Sequence, residues 1–290
     1  MSQLYRHSNK FTLLGAVAGM LSGIAAAIPG AFLYVYGIWS IPEAKLRGLC
    51  PLTYGALVGA SCGIAMCWGK IRNLAVAGVV GFASSLFALY VSWVVWILHL
   101  MFPSFWIFNP IRLALQPKLL WKIVMATNAQ GTWSFKGSVP MTGTGLWLLW
   151  LGEAGLLLGF GVLAAIAMVK RRPFCERCEA WCSEKTKLYF APTTLPNEIK
   201  SRVLAEDIVW ITTLARGDKK GAHYRLDLHT CGNCHTLNTL SLVQNLPKNR
   251  KTLVDKLILS ADQAAAVRNL RMNHEMQASA PAAAMNPSVR

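Results

Sequence analysis

The chain has 290 residues, of which 54% are hydrophobic and only 14% charged, with a formal net charge of +16. So little charge at this length excludes an ordinary soluble enzyme and a disordered chain, and predicts an integral membrane protein. Both halves are basic. Residues 1–170 carry eleven Lys/Arg against Glu43 and Glu153, a net of +9; residues 171–290 carry eighteen against eleven acids, a net of +7.

Four stretches are long and apolar enough to cross a bilayer, which takes roughly 20 residues. They run over about residues 11–39, 52–69, 74–101 and 145–169, with no Lys, Arg or Asp inside them. Arg6 and Lys10 precede the first span. Ala25-Ala26-Ala27 has the outline of a leader cleavage site, but the apolar run continues past Pro29-Gly30, which predicts an uncleaved span kinked near Pro29. Arg6/Lys10, Lys70/Arg72 and Lys170-Arg171-Arg172 fall on one side of a four-span chain. The excess of basic residues makes that side, with both termini, cytoplasmic.

Gly15, Gly19 and Gly23 of the first span recur 40 residues later as Gly55, Gly59 and Gly63 of the second. Glycine at every fourth position lets another helix approach closely, so these residues are expected to pack spans together, within the chain or in a homo-oligomer. Ala77, Gly81 and Ser85 continue the pattern in the third span, and Gly155 and Gly159 in the fourth. Trp93, Trp96, Trp147 and Trp150 sit near the outer ends of the last two spans, a depth that suits indoles as membrane anchors.

The segment 102–144 is broken by Pro103, Pro110 and Pro117. From Pro117, Lys118 and Lys122 share one helical face while Leu119, Leu120, Ile123 and Val124 cover the other. That pattern predicts an interfacial helix on the outer surface, followed by a Gly/Thr/Ser-rich re-entrant loop up to Gly145. In the fourth span Glu153 lies about 12 Å inside the outer end, at 1.5 Å per residue from Gly145. An ionisable group there is either a structural hydrogen-bonding acid or a cation-handling group, with His99 as candidate neighbour. Cys62 and Cys67 in the second span fit small core hydrophobes.

After Arg172 the composition changes. Cys175-Glu176-Arg177-Cys178 and Cys231-Gly232-Asn233-Cys234 are two C-x-x-C turns, each holding two thiolates at a spacing that tetrahedral zinc accepts. The insert between them predicts a strand over 187–190, a helix over Asn197 to Leu214, a turn at 217–221, and a strand in which Tyr224, Leu226 and Leu228 alternate with Arg225, Asp227 and His229. A returning strand through Leu237, Leu240 and Leu242, a turn at 246–250 and a strand over 252–259 follow. Ser260 with Gln263 makes a capping box for a last helix. From Gln277 the chain is Ala/Pro/Ser-rich and reads as disordered.

This half resembles zinc-ribbon domains in its two knuckles and in the hairpin that carries the second. The resemblance implies Cys175, Cys178, Cys231 and Cys234 as ligands of one structural zinc; the nearby Cys182, His229 or His235 is the rival that could replace one of them. Cys231–His235 also fits the C-x-x-C-H haem attachment motif, which would leave Cys175 and Cys178 unexplained. Four thiolates close the coordination sphere to a water nucleophile, and no Ser/His/Asp set, P-loop or G-x-G-x-x-G suggests other chemistry.

The sequence thus predicts a membrane all-α four-helix bundle plus a small α+β zinc-ribbon-like soluble domain. Residues 1–172 would form the bundle, 173–276 the cytoplasmic domain and 277–290 the tail. The expected role is a non-enzymatic, membrane-anchored adaptor or regulatory subunit whose zinc domain docks a cytoplasmic protein. Membrane lipids are the other expected partner. No basic run interleaved with aromatics points to nucleic acid. The alternatives are a small transporter or channel component using Glu153, and an electron carrier with haem at Cys231, Cys234 and His235.

Overall fold

The computed structural model describes residues 3–41, 43–100, 110–132, 140–218, 221–247 and 249–279. They form two compact units: residues 8–171, and residues 172–290 together with the N-terminal seven. The start of the chain is therefore part of the same unit as its C-terminal half.

In the first unit α1 (Leu13–Ser40), α3 (Cys50–Trp68), α4 (Leu74–Leu100) and α7 (Gly143–Lys170) are each long and apolar enough to cross a membrane. Their ends differ from the sequence expectation by no more than two residues. α1 runs unbroken through Pro29. A short α2 (Ala44–Arg47) links α1 to α3, and α5 (Pro110–Ala114) and α6 (Pro117–Gln130) precede α7. α1 and α7 each pack against both α3 and α4, and α3 and α4 touch across the middle.

The glycines set this packing. A Cβ on Gly15 would lie 2.8 Å from the Gly69 carbonyl oxygen, and one on Gly23 would meet Cys62 Sγ at 2.4 Å and Ser84 at 2.6 Å. On α3, a Cβ on Gly55 would meet the Leu157 carbonyl oxygen at 2.2 Å, one on Gly59 that of Gly161 at 2.0 Å, and one on Gly63 the Met168 side chain at 2.5 Å. The two stripes therefore do not face each other: that of α1 lies against α3 and α4, and that of α3 against α7. In α7 the packed glycine is Gly161, whereas a Cβ on Gly155 or Gly159 would meet nothing within 4 Å. Interhelical hydrogen bonds add to the contact. Tyr54 Oη donates to the carbonyls of Ala27 (2.8 Å) and Ala88 (3.1 Å), and the hydroxyls of Ser22 and Ser61 pair at 2.7 Å. Such bonds within a membrane contribute about 0.6 kcal/mol each on average.

α6 presents Leu120 and Val124 to a cluster with Val94, Ile97, Leu98, Leu113, Leu146 and Trp150, and leaves Lys118 and Lys122 exposed. Trp150 is buried in the same cluster, stacked at right angles to Trp93 and Trp147. It is a packing residue rather than a lipid-facing anchor. Residues 102–109 and 133–139 of the predicted outer segment lie outside the described residues.

In the second unit β1 (Phe174–Cys175) and β2 (Ala180–Trp181) form a small hairpin. β3 (Glu184–Phe190), β4 (His223–Thr230), β5 (Asn238–Leu246) and β6 (Asn249–Leu259) make an antiparallel sheet in the order β3-β4-β5-β6. Alternation decides its faces: Leu188, Phe190, Tyr224, Leu226, Leu228, Leu240 and Leu242 point into one core. That core is closed by α8 (Pro196–Leu204), α9 (Ile208–Thr212) and α10 (Ala261–Ser279), through Ile199, Val203, Ile208, Ile211, Ala264 and Val267.

The single helix expected over 197–214 is two helices. Glu206 takes a left-handed φ of 59°, and Asp207 Oδ1 then accepts from Trp210 N at 3.0 Å to cap α9. The expected capping box forms, with Ser260 N donating to Gln263 Oε1 (2.8 Å) and Gln263 N to Ser260 Oγ (3.2 Å). α10 runs on to Ser279, so Gln277–Ser279 are helical rather than tail; residues 280–290 lie outside the described residues.

The N-terminus adds a strap to the sheet. Ile258 N donates to Gln3 O (2.9 Å) and Tyr5 N to Lys256 O (2.8 Å), so Leu4 pairs antiparallel with Leu257 on the free edge of β6.

Candidate metal centre

The first knuckle is the β1–β2 hairpin. Phe174 pairs with Trp181 and Cys175 with Ala180, so the chain from Cys175 to Glu179 must turn back on itself. Cys182 N closes the base by donating to Pro173 O at 2.9 Å. The second knuckle joins β4 to β5. There Cys231 N donates to Leu237 O, and His235 N to Cys231 O, both at 3.0 Å. Asn238 Nδ2 donates to His235 O at 3.0 Å and holds the exit of the turn.

In both knuckles the residue just after the second cysteine is left-handed: Glu179 at φ 46° and His235 at φ 53°. Gly232, which looks from sequence like the residue that allows the tight backbone, does not have a positive φ. A Cβ there would lie 2.6 Å from Ser183 Oγ, so a larger residue would have to displace that hydroxyl.

The two turns bring the Sγ atoms of Cys175, Cys178, Cys231 and Cys234 within 4.8 Å of one another. Cys175 and Cys234 are 3.6 Å apart. Four sulfurs at about 2.3 Å from a central tetrahedral ion are about 3.8 Å from each other, so the cluster has the span such an ion needs. A disulfide would bring a pair to about 2.05 Å, and all eight cysteines are free. Cys175 and Cys231 are buried while Cys178 and Cys234 are half-buried.

Electrostatics points the same way. The Thr236 hydroxyl, 2.9 Å from Cys234 Sγ, holds that thiol down to about 5. The bond to Cys234 in turn pushes Cys178 up to about 12. Burial raises Cys175, against the pull of the backbone N–H groups of Cys178 and Arg177. Ionising one thiol thus disfavours ionising its neighbours, and a bound cation removes that conflict by deprotonating all four. The donor set, its spacing and its charge therefore fit a metal ion, and Cys175, Cys178, Cys231 and Cys234 would hold it.

The substitutes lie elsewhere. Cys182 packs against the cluster with its thiol pushed up to about 12, first by burial and then by the neighbouring cysteines, but it is outside the set of four. His235 turns its Nδ1 toward Glu184 Oε2 at 3.7 Å, in a pair that is about half exposed. His229 is buried on β4, and burial pushes it down to about 4. Sequence reasoning missed three supporting groups: Thr236, Glu179 and Tyr5. Tyr5 Oη accepts from Phe174 N (2.9 Å) and donates to Phe174 O (3.2 Å), one residue before the first ligand. The chemistry of C-x-x-C-x-T was visible, since a hydroxyl two residues beyond a thiolate can reach back to it.

In the other unit Glu153 does not meet His99. His99 packs against the rings of Tyr36 (5.1 Å) and Trp39 (4.8 Å), while Glu153 lines a cavity with Tyr34, Trp93 and Trp150.

Compared with known proteins, this chain matches no family model, no curated protein and no solved structure.

Proposed function

We propose that the protein is a membrane-anchored adaptor or regulatory subunit, whose C-terminal unit is a zinc-ribbon-like domain that docks a cytoplasmic protein. The observation that carries this reading is the closed four-thiolate cluster. All four tetrahedral positions are supplied by the chain, which suits a structural ion and leaves no position for a reacting water. Zinc is the natural occupant of a tetrahedral sulfur site that has no redox role, with iron as the chemical competitor. Two knuckles with the same backbone turn, the second between paired strands, support the ribbon architecture. Haem attachment at Cys231 and Cys234 is less well supported, because both sulfurs belong to the cluster with Cys175 and Cys178.

The cytoplasmic assignment rests on one support. The basic residues flanking the spans mark one side as inside. The strap formed by Gln3–Tyr5 joins the N-terminus to the unit that follows the fourth span, which supports an even number of crossings, with both ends on one side.

The test is elemental analysis of the detergent-purified full chain, followed by affinity purification of cross-linked membranes. One zinc per chain is expected, lost in Cys231→Ser and kept in Cys182→Ala. A stoichiometric cytoplasmic partner should cross-link to wild type and Cys182→Ala but not to Cys231→Ser. Iron in place of zinc would overturn the structural site. Zinc with no partner at stoichiometric level would overturn the adaptor reading.

A further inference from the structure

The bundle forms an open-sided cavity of about 390 Å³ at the end where α1 gives way to α2 and α4 ends. This volume is in the range of small-molecule sites, roughly 300–1,000 Å³, and far larger than a proton or bare metal ion needs. Five of its fifteen described lining residues are aromatic: Tyr34 and Trp39 from α1, Trp93 and Trp96 from α4, and Trp150 from α7. The indoles are fixed against one another. Trp93 stands at 88° to Trp150 with centroids 4.9 Å apart, and at 78° to Trp96 at 5.5 Å. Rings held edge to face in this way make the corner of a box.

Polar groups share the lining with the rings: Tyr34, Arg47, Ser92, Thr132 and Glu153. Ser92 Oγ donates to Leu89 O at 2.8 Å, and Arg47, the one cation among the described lining residues, is tied back by its Nε to Ile41 O at 2.6 Å. Glu153 is the one acid among the described lining residues. Among the described residues its carboxylate has no hydrogen bond and no ion pair, and it lines the cavity directly.

An acid in an aromatic box selects its counter-ion by coordination chemistry. Calcium takes 6–8 oxygen ligands, and magnesium demands an octahedron with several waters. One carboxylate and a few hydroxyls cannot supply either. A large organic cation is held differently: its diffuse charge rests on ring faces, with indole the best of them, and needs a single counter-charge. We propose that this cavity binds a substituted ammonium group, with Glu153 as counter-ion and the half-buried Trp93 and Trp96 as the cation–π walls. The group could come from a free amine or from the choline or ethanolamine headgroup of a phospholipid. The site does not use the metal centre, and its failure would leave the proposed function untouched.

The experiment uses the full chain in nanodiscs of phosphatidylglycerol, which carries no amine. Choline and ethanolamine are titrated against tryptophan fluorescence, with 3,3-dimethyl-1-butanol as the neutral isostere of choline. A saturable change is expected with at least one of the two amines and none with the alcohol. Binding should weaken about tenfold in Glu153→Gln, and about tenfold in Trp96→Leu, a loss typical of one strong cation contact. Metal content and thermal midpoint report whether each variant is folded, and either variant suffices if the other is not. Repeating the titration in phosphatidylcholine and phosphatidylethanolamine discs separates the sources: competition by the lipid identifies a headgroup site, and unchanged binding a free-amine site. Equal binding of the alcohol, or unchanged affinity in a folded Glu153→Gln, would overturn the proposal. So would the absence of a saturable response to both amines in phosphatidylglycerol discs.

Discussion

Glu179 and His235 occupy equivalent places, each one step beyond the second cysteine of its knuckle and each with a positive φ. A side chain in that conformation crowds the following carbonyl, at a cost of about 1–2 kcal/mol relative to an ordinary backbone. The turn must be made there because the chain has to leave the second sulfur and return along the paired strand. Glycine is the residue that makes such a turn without strain. Glu179→Gly and His235→Gly should therefore each stabilise the C-terminal unit by about 0.5–1 kcal/mol, less the small loss of conformational restriction in the unfolded chain. His235→Gly also removes the pair with Glu184, but with both partners about half exposed that contact contributes little. Denaturant titration of the metal-loaded chain measures the gain, and metal stoichiometry should stay at the wild-type value. A drop in stoichiometry in His235→Gly would make His235 a ligand and displace the four-thiolate site. The four cysteines themselves were legible because C-x-x-C states its chemistry locally. The left-handed residues were not, because nothing in Glu or His announces a positive φ.

Among the helices, the sequence pattern identified glycine stripes but not which neighbour each one meets. Gly59 and Gly159 make the difference measurable. A methyl on Gly59 would sit 2.0 Å from the Gly161 carbonyl oxygen, whereas one on Gly159 meets nothing within 4 Å. Backbone cannot move aside as a flexible side chain can, so Gly59→Ala should force α3 and α7 apart. Overpacking of this kind costs typically about 1–3 kcal/mol, and more where the obstacle is backbone. Gly159→Ala should be within about 0.5 kcal/mol of wild type, as for surface substitutions away from special features. Thermal unfolding of the purified chain in one detergent compares the two; equal loss in both would mean that α7 is rotated from the orientation described. Apolar length and composition marked the four spans because a bilayer-spanning helix must satisfy its backbone internally over a fixed thickness. The facing of α7 escaped because Gly155, Gly159 and Gly161 are all glycines, and only their contacts separate them. In the C-terminal unit, strict alternation along β4 revealed its core face, while the break at Glu206 was missed because the apolar pattern runs on through it. Asp207, with a free backbone N–H three residues ahead, was the available signal of a new helix start.

For the molecule as a whole, the first seven residues carry more of the architecture than their composition suggests. Gln3 and Tyr5 exchange backbone hydrogen bonds with β6, which would otherwise present a bare edge. Tyr5 Oη bridges the N–H and C=O of Phe174, next to Cys175. The N-terminus thus fixes the backbone on which the first knuckle is built, although four apolar spans separate them in sequence. Tyr5→Phe keeps the ring, which packs at 5.2 Å on His7, and deletes only the hydroxyl. It removes the two hydrogen bonds between the hydroxyl and the Phe174 backbone, at a cost of about 0.5–1.5 kcal/mol each. The expected result is a lower temperature of metal release with unchanged stoichiometry, read by a chromophoric chelator during a thermal ramp, and no change in the membrane helices by circular dichroism. The same strap makes a topological demand. Pairing of residues 3–5 with β6 predicts that both ends of the chain lie on one side of the membrane and that the number of crossings is even. A membrane-impermeant thiol reagent should therefore reach cysteines introduced at Ser2 and at Ser288 from the same face of sealed vesicles, in a background where the native exposed thiols are protected by metal or replaced. Labelling of the two positions from opposite faces would break the strap and the four-span order together, while labelling from one face with Tyr5→Phe unchanged in metal release would keep the order and remove the strap's role in the knuckle.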